Sequence, residues 1–167
     1  EELIQEYAHK FHFLSDYLIL RLANIYGLGQ QKGWFIPDTI EKIRKAIPNP
    51  ETGKNPETER KEWEKEITIF NGDSIRDFIY VEDAVEAMLV LVKSGKPGIF
   101  NVGGGKSHSL KEVASELAEL SEGRITVHYV NNAVNENALD ITKITQATKW
   151  KPKVALKIGL KRVWEKA

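Results

Sequence analysis

The sequence predicts an α/β fold, and three observations carry that reading. Residues 17–22 and 99–102 are short apolar runs of the kind that form parallel strands buried on both faces. Apolar residues spaced three and four apart recur between and after such runs, as on the packed face of a helix. Ser109 and Glu112 stand three residues apart just after Gly103-Gly104-Gly105, which is capping-box spacing behind a tight strand-to-helix turn.

The elements follow in order. Leu3, Ile4, Tyr7, Ala8 and Phe11 share one face of an opening helix. After the strand at 17–22, residues 24–31 read as a turn-rich loop at its carboxyl end, where open α/β sheets bind ligands. Pro37-Asp38 is expected to open a second helix, with Asp38 and Glu41 at capping-box spacing. Residues 67–70 read as a strand. The turn Asn71-Gly72-Asp73 then delivers Arg76, and Phe78, Ile79 and Val81 give another short strand. Asp83, with Glu86 three residues on, is expected to cap a helix that runs to about Lys93. Residues 94–98 form a turn before the strand at 99–102. Leu110, Val113, Ala114, Leu117 and Ala118 make an amphipathic helix, residues 125–130 alternate like a strand, and Leu156, Leu160, Val163 and Trp164 give a final helix one apolar face.

One stretch breaks this rhythm. Of the 26 residues over 41–66, seven are acidic and seven basic, and three prolines fall among them. Charge that dense reads as a solvated excursion, an insertion at about 46–66, with a lid or partner surface anchored by Trp63 as the sharper alternative.

Composition narrows the function. The 167 residues are enough for a domain with a real core, and 41% hydrophobic with 29% charged residues is ordinary for a globular protein. Formal net charge is zero, so nothing predicts attraction to nucleic acid or to an anionic membrane. Without cysteine there is no disulfide and no thiol-bound metal, and His9, His12, His108 and His128 form no metal-spaced cluster. No apolar run reaches a membrane span and no leader pattern is read, so a cytoplasmic location is expected.

The residues that carry chemistry concentrate at 72–83, Gly-Asp-Ser-Ile-Arg-Asp-Phe-Ile-Tyr-Val-Glu-Asp. A guanidinium on a turn, backed by a strand and a helix, suits a phosphate clamp. Arg76 reads equally as a structural ion pair with Asp73 or Asp77, while Asp77 and Asp83 read as turn and cap residues. Asn24 suits uncharged ligand bonding or an Asx turn. Gly105-Lys106-Ser107 invites a P-loop reading, but that pattern needs glycine at position 100, where Phe100 stands.

Gly72-Asp73-x-x-Arg76-Asp77-Phe78-Ile79-Tyr80-Val81-Glu82-Asp83 closely resembles the signature of the extended short-chain dehydrogenases/reductases, the NAD-dependent sugar-nucleotide epimerases and dehydratases. Arg21-Leu22-Ala23-Asn24-Ile25-Tyr26-Gly27 resembles that family's Arg-x-x-Asn-Val-Tyr-Gly. Gly98-Ile99-Phe100-Asn101-Val102-Gly103 resembles its Gly-x-x-Asn-Val-Gly. Asp140-Ile141-Thr142-Lys143 with Trp150-Lys151-Pro152 resembles its C-terminal Asp-x-[Ser/Thr]-Lys and Trp-x-Pro. These ordered matches cover nearly the whole chain.

The resemblance implies a fold made of the last parallel strands and helices of a Rossmann-type sheet plus the small C-terminal substrate-binding lobe. It implies NAD as cofactor of the complete enzyme and a nucleotide-diphosphate sugar as substrate, oxidised at C4. Arg76 would contact the diphosphate and Asn24 the substrate near the nicotinamide, with Leu22 and Ala23 beside the ring. Trp34, Phe35 and Ile36 would pack around the substrate, and Ile69 and Phe70 would line the base; core packing is the alternative for Trp34, Ile69 and Phe70. A homodimer through the helix at 1–12 is also implied.

Two departures matter. The family's glycine-rich βαβ unit and its Tyr-x-x-x-Lys are not found in these residues, so residues 1–167 read as the C-terminal substrate-binding part, beginning just past the catalytic pair and inactive alone. The family's second clamp arginine has no counterpart in Asn131-Asn132-Ala133-Val134-Asn135-Glu136-Asn137, which leaves Lys143 as a substitute. Leu28 also replaces the proline usual after Tyr-Gly. The alternatives are a non-catalytic nucleotide-sugar-binding module and a protein-interaction module using the charged insertion.

Overall fold

The computed structural model describes residues 1–11, 17–47, 66–122, 125–131 and 134–166. Most of the charged insertion, with Trp63, lies outside these residues, as does His12. The chain divides into two compact units, each assembled from three stretches of sequence.

The first unit comprises Glu1–Tyr26, Arg76–Ser107 and Asn137–Leu156. It contains α1 (Glu2–Phe11), β1 (Leu18–Leu22) and β2 (Asn24–Tyr26). The chain returns to it along β4 (Ile75–Tyr80), α3 (Val81–Ser94) and β5 (Gly98–Val102), and later along α5 (Thr142–Thr148). β1 pairs in parallel with β5, Leu18 opposite Gly98 through Leu22 opposite Val102. β2 pairs in parallel with β4, Asn24 opposite Phe78 through Tyr26 opposite Tyr80. Parallel neighbours need a long crossover, and the segment that joins β1 to β5 includes α3, which directly precedes β5. Its Ala84, Ala87 and Leu91 pack with Ile79, Phe100, Val102, Ile144 and Trp150 as the unit's core. The turn expected at 94–98 is present, with Gly95 left-handed at φ 61° as the end of α3.

The second unit comprises Gly27–Ile75, His108–Glu136 and Lys157–Ala167. It holds α2 (Phe35–Ala46), β3 (Glu66–Phe70), α4 (Leu110–Glu119), β7 (Thr126–Val130) and most of α6 (Leu156–Lys166). β3 and β7 pair in parallel, Glu66 opposite Thr126 through Phe70 opposite Val130. Burial alternates along β3, with Ile67 and Ile69 inward. Ile36, Ile40 and Ile43 of α2 and Val113 and Leu117 of α4 are buried too. Two short strands, β6 (Ser107–Ser109) and β8 (Glu136–Asn137), lie where the chain passes between units.

Four sequence expectations change. Residues 24–26 are strand rather than loop, because Ile25 and Tyr26 pair along β4 and the Tyr26 ring packs edge-on to Tyr80 at 5.5 Å. Arg76 is the second residue of β4, not a turn residue. Asp83 does not cap α3: β4 runs straight into that helix, Tyr80 holds the cap position, and Asp83 falls in the first turn. Likewise α2 opens at Phe35 behind Trp34, so Asp38 sits inside the first turn and accepts from the Gly33 N–H at 2.8 Å. The box at Ser109 forms as expected, with both reciprocal bonds present.

Among the described residues no helix is long and apolar enough to cross a membrane. No group of three or more His, Asp or Glu among them is arranged to hold a metal ion.

Candidate functional site

In the first unit the site is built around β4. Arg76 is half-buried at the head of the strand, and Asp77 beside it is 1% exposed. The Asp77 carboxylate accepts the Gly104 N–H at 2.7 Å, and its carbonyl accepts Asn24 Nδ2 at 2.9 Å. A Cβ on Gly103 would lie 2.3 Å from Asp77 Oδ2, and one on Gly104 2.2 Å from the Phe78 carbonyl oxygen. The glycines therefore serve close approach of backbone to β4. Asp77, bonded on both sides, fixes the strand from which the guanidinium extends.

Asn24 is thus part of that brace, through its amide N–H, and not a loop residue. Leu22 ends β1 and Ala23 links it to β2; Leu22 is exposed and Ala23 half-buried, its N–H bonded to the Val102 carbonyl at 2.9 Å.

The remaining signature residues of this unit also brace one another. Lys143 Nζ donates to the Ile99 carbonyl at 2.8 Å and lies 4.8 Å from the Phe100 ring centre. Its ammonium thereby ties α5 to β5. The Thr142 hydroxyl and N–H bonded to Asp140 hold that carboxyl below its ordinary range. Asn101 Nδ2 donates to the Asp140 carbonyl at 3.0 Å. Asp83, buried at 3% exposure, accepts the Lys153 and Val154 N–H groups at 3.0 and 2.8 Å. Sequence reasoning named Asp77 and Asp83 as structural but missed these partners, which lie 27 and about 70 residues away.

In the second unit Trp34 is 61% exposed and Phe35 half-buried, whereas Ile36 points into the core. At the end of β3, Ile69 is buried and Phe70 is 55% exposed. Alternation along a strand and the helical turn at Phe35 thereby split each predicted group into one core residue and more accessible neighbours. The stretch lacking the second arginine works as a clasp: the Asn135 carbonyl accepts the Ile75 N–H at 2.8 Å, and Asn131 Oδ1 accepts the Asp73 N–H at 3.2 Å. A cation is nevertheless close to Tyr129, since Lys111 Nζ lies 5.2 Å from its ring centre.

Comparison with known proteins agrees with this architecture. The profile of the NAD dependent epimerase/dehydratase family matches residues 1–103. The human dTDP-D-glucose 4,6-dehydratase is 29% identical over 176 residues, covering 99% of this chain and 45% of the human protein. The Escherichia coli dTDP-4-dehydro-6-deoxyglucose reductase is 31% identical, covering 86% of this chain and 42% of its own length. The chain therefore spans less than half the length of these relatives. The Bacillus cereus UDP-glucuronic acid 4-epimerase, solved in complex with UDP-glucuronic acid and NAD, superposes with a TM-score of 0.77 over 99% of this chain and 48% of its own. At 23% identity that likeness speaks to the fold. With a family profile matched over most of its length and a fold shared with such enzymes, the chain belongs to the NAD-dependent epimerase/dehydratase family.

Proposed function

We propose that these residues form the substrate-holding part of a NAD-dependent nucleotide-sugar epimerase or 4,6-dehydratase, and that Arg76 grips the diphosphate of the nucleotide sugar. The observation that carries this is the locked strand: half-buried Arg76 is next in sequence to a buried carboxylate that is itself bonded to Gly104. A planar fork of N–H donors on a fixed backbone is what bidentate phosphate recognition needs. In the second unit, exposed Trp34 and Phe70 with half-buried Phe35 supply aromatic surface for the same class of ligand, whereas Ile36 and Ile69 support them from the core.

Leu22 and Ala23 fit an apolar contact to a nicotinamide ring, and NAD, when bound, supplies hydride transfer at sugar C4. The glycine-rich pyrophosphate loop and the Tyr-x-x-x-Lys pair are not among these 167 residues, so their share is binding and orientation. A homodimer through α1 belongs to the same proposal, and Leu3, Ile4 and Tyr7 of that helix are exposed.

Calorimetric titration of the protein, as its gene encodes it, with UDP-, dTDP- and GDP-sugars tests the reading. Saturable binding of at least one sugar nucleotide, tighter than that of the free sugar, is expected. Failure of all three to bind contradicts it.

A further inference from the structure

The second unit contains a concavity lined by none of the residues assigned above to the nucleotide sugar. Its volume is about 740 Å³, within the roughly 300–1,000 Å³ typical of small-molecule sites. Pro37, Ile40, Glu41 and Arg44 line it from one face of α2, at the three- and four-residue spacing that puts side chains in a row. Leu28 enters from the preceding loop and Val163 from α6, so the floor is largely aliphatic.

The rim is cationic. Lys32, Arg44, Lys45 and Lys166 all line the cavity, and Glu41 is the one acidic residue among the described lining residues. Glu41 is already committed to two of these cations, Lys32 at 2.7 Å and Lys45 at 2.8 Å. Arg44 is held in place: its Nη2 donates to the Trp164 carbonyl at 2.5 Å and its guanidinium stacks 5.2 Å from the Trp164 ring centre. Four positive charges against one negative, around an apolar hollow, concentrate a positive potential inside it. The protein as a whole has no net charge, so this clustering is local.

We infer that this cavity binds a small amphipathic anion, a phosphate monoester carried on an aromatic or alkyl body. The aliphatic floor takes the body, and the lysines with the immobilised arginine take the phosphate. Neither Arg76 nor any residue assigned above to the nucleotide sugar lines the cavity, so this inference stands apart from that assignment.

The test is calorimetric titration with phenyl phosphate, octyl phosphate and inorganic phosphate. At least one organic phosphate is expected to bind tenfold or more tightly than inorganic phosphate; which one identifies an aromatic or a lipid-like source. Lys45→Glu combined with Lys166→Glu should weaken that binding at least tenfold, and Arg76→Ala should leave it unchanged. Backbone amide NMR of the unaltered protein gives a readout independent of variant folding, with shifts expected at Gly29, Lys32 and Arg44. The inference is overturned if all three phosphates bind alike or not at all, if binding vanishes in Arg76→Ala but survives the double charge reversal, or if the amide shifts fall elsewhere.

Discussion

Asp77 and Asp83 each use a buried carboxylate to hold backbone N–H groups from distant sequence. Removing such an acceptor leaves part-buried donors without a partner, at about 1–3 kcal/mol. Asp83→Ala is therefore expected to lower stability by about 2 kcal/mol, seen as a reduced urea midpoint at unchanged slope. An unaltered midpoint would show that the Lys153 and Val154 amides do not depend on it. Gly104→Ala is expected to cost about 1–3 kcal/mol through overpacking against Phe78, and a thermal midpoint equal to the parent's would contradict the close approach. Glu41 behaves differently, its half-buried carboxylate holding lysines rather than backbone amides. Hydrogen bonds from Lys32 and then Lys45 depress its carboxyl from 4.5 to about 2. A depressed folded-state value means the contribution is present above about pH 4.5 and lost as pH falls through about 2. Urea midpoints taken across that window should fall less steeply in Glu41→Gln than in the parent. Glu1 and Asp140, also depressed, keep some slope in both, and equal slopes would sink the Glu41 assignment.

At the scale of elements, local signals worked where the helix start was purely local. Ser109 accepts the Glu112 N–H at 3.0 Å, and Glu112 accepts the Ser109 N–H at 2.9 Å, as their spacing predicts. Ser109→Ala should cost about 1 kcal/mol, measurable as a lower urea midpoint, and no change would mean that α4 is held by packing alone. The same pattern misled at Asp83 and Asp38. There the chain enters the helix earlier, on Tyr80 and Trp34, and each carboxylate serves another partner. Strands β1, β3, β5 and β7 were legible because apolar runs or alternation survive in them. β2 was not, because a three-residue strand has no period to read, and its pairing with β4 is a long-range fact.

For the whole molecule, four motifs in family order were enough to specify the α/β architecture and the family. What they could not specify was partnership. Lys143 reads as a free cation in sequence and is tied to the Ile99 carbonyl in space; Ile36 and Ile69 read like their exposed neighbours until alternation and packing bury them. The cationic hollow beside α2 was invisible because Leu28, Lys32, Arg44 and Lys166 come from separate elements. Diphosphate recognition in the proposed function rests on the guanidinium of Arg76. It is tested most directly by comparing the affinity of the parent protein and of Arg76→Ala for whichever UDP-, dTDP- or GDP-sugar the parent binds. Loss of a charge-assisted contact of about 1.5–3 kcal/mol predicts weakening by about ten- to a hundredfold, with the circular dichroism spectrum unchanged. Equal affinity in the two proteins would contradict the account.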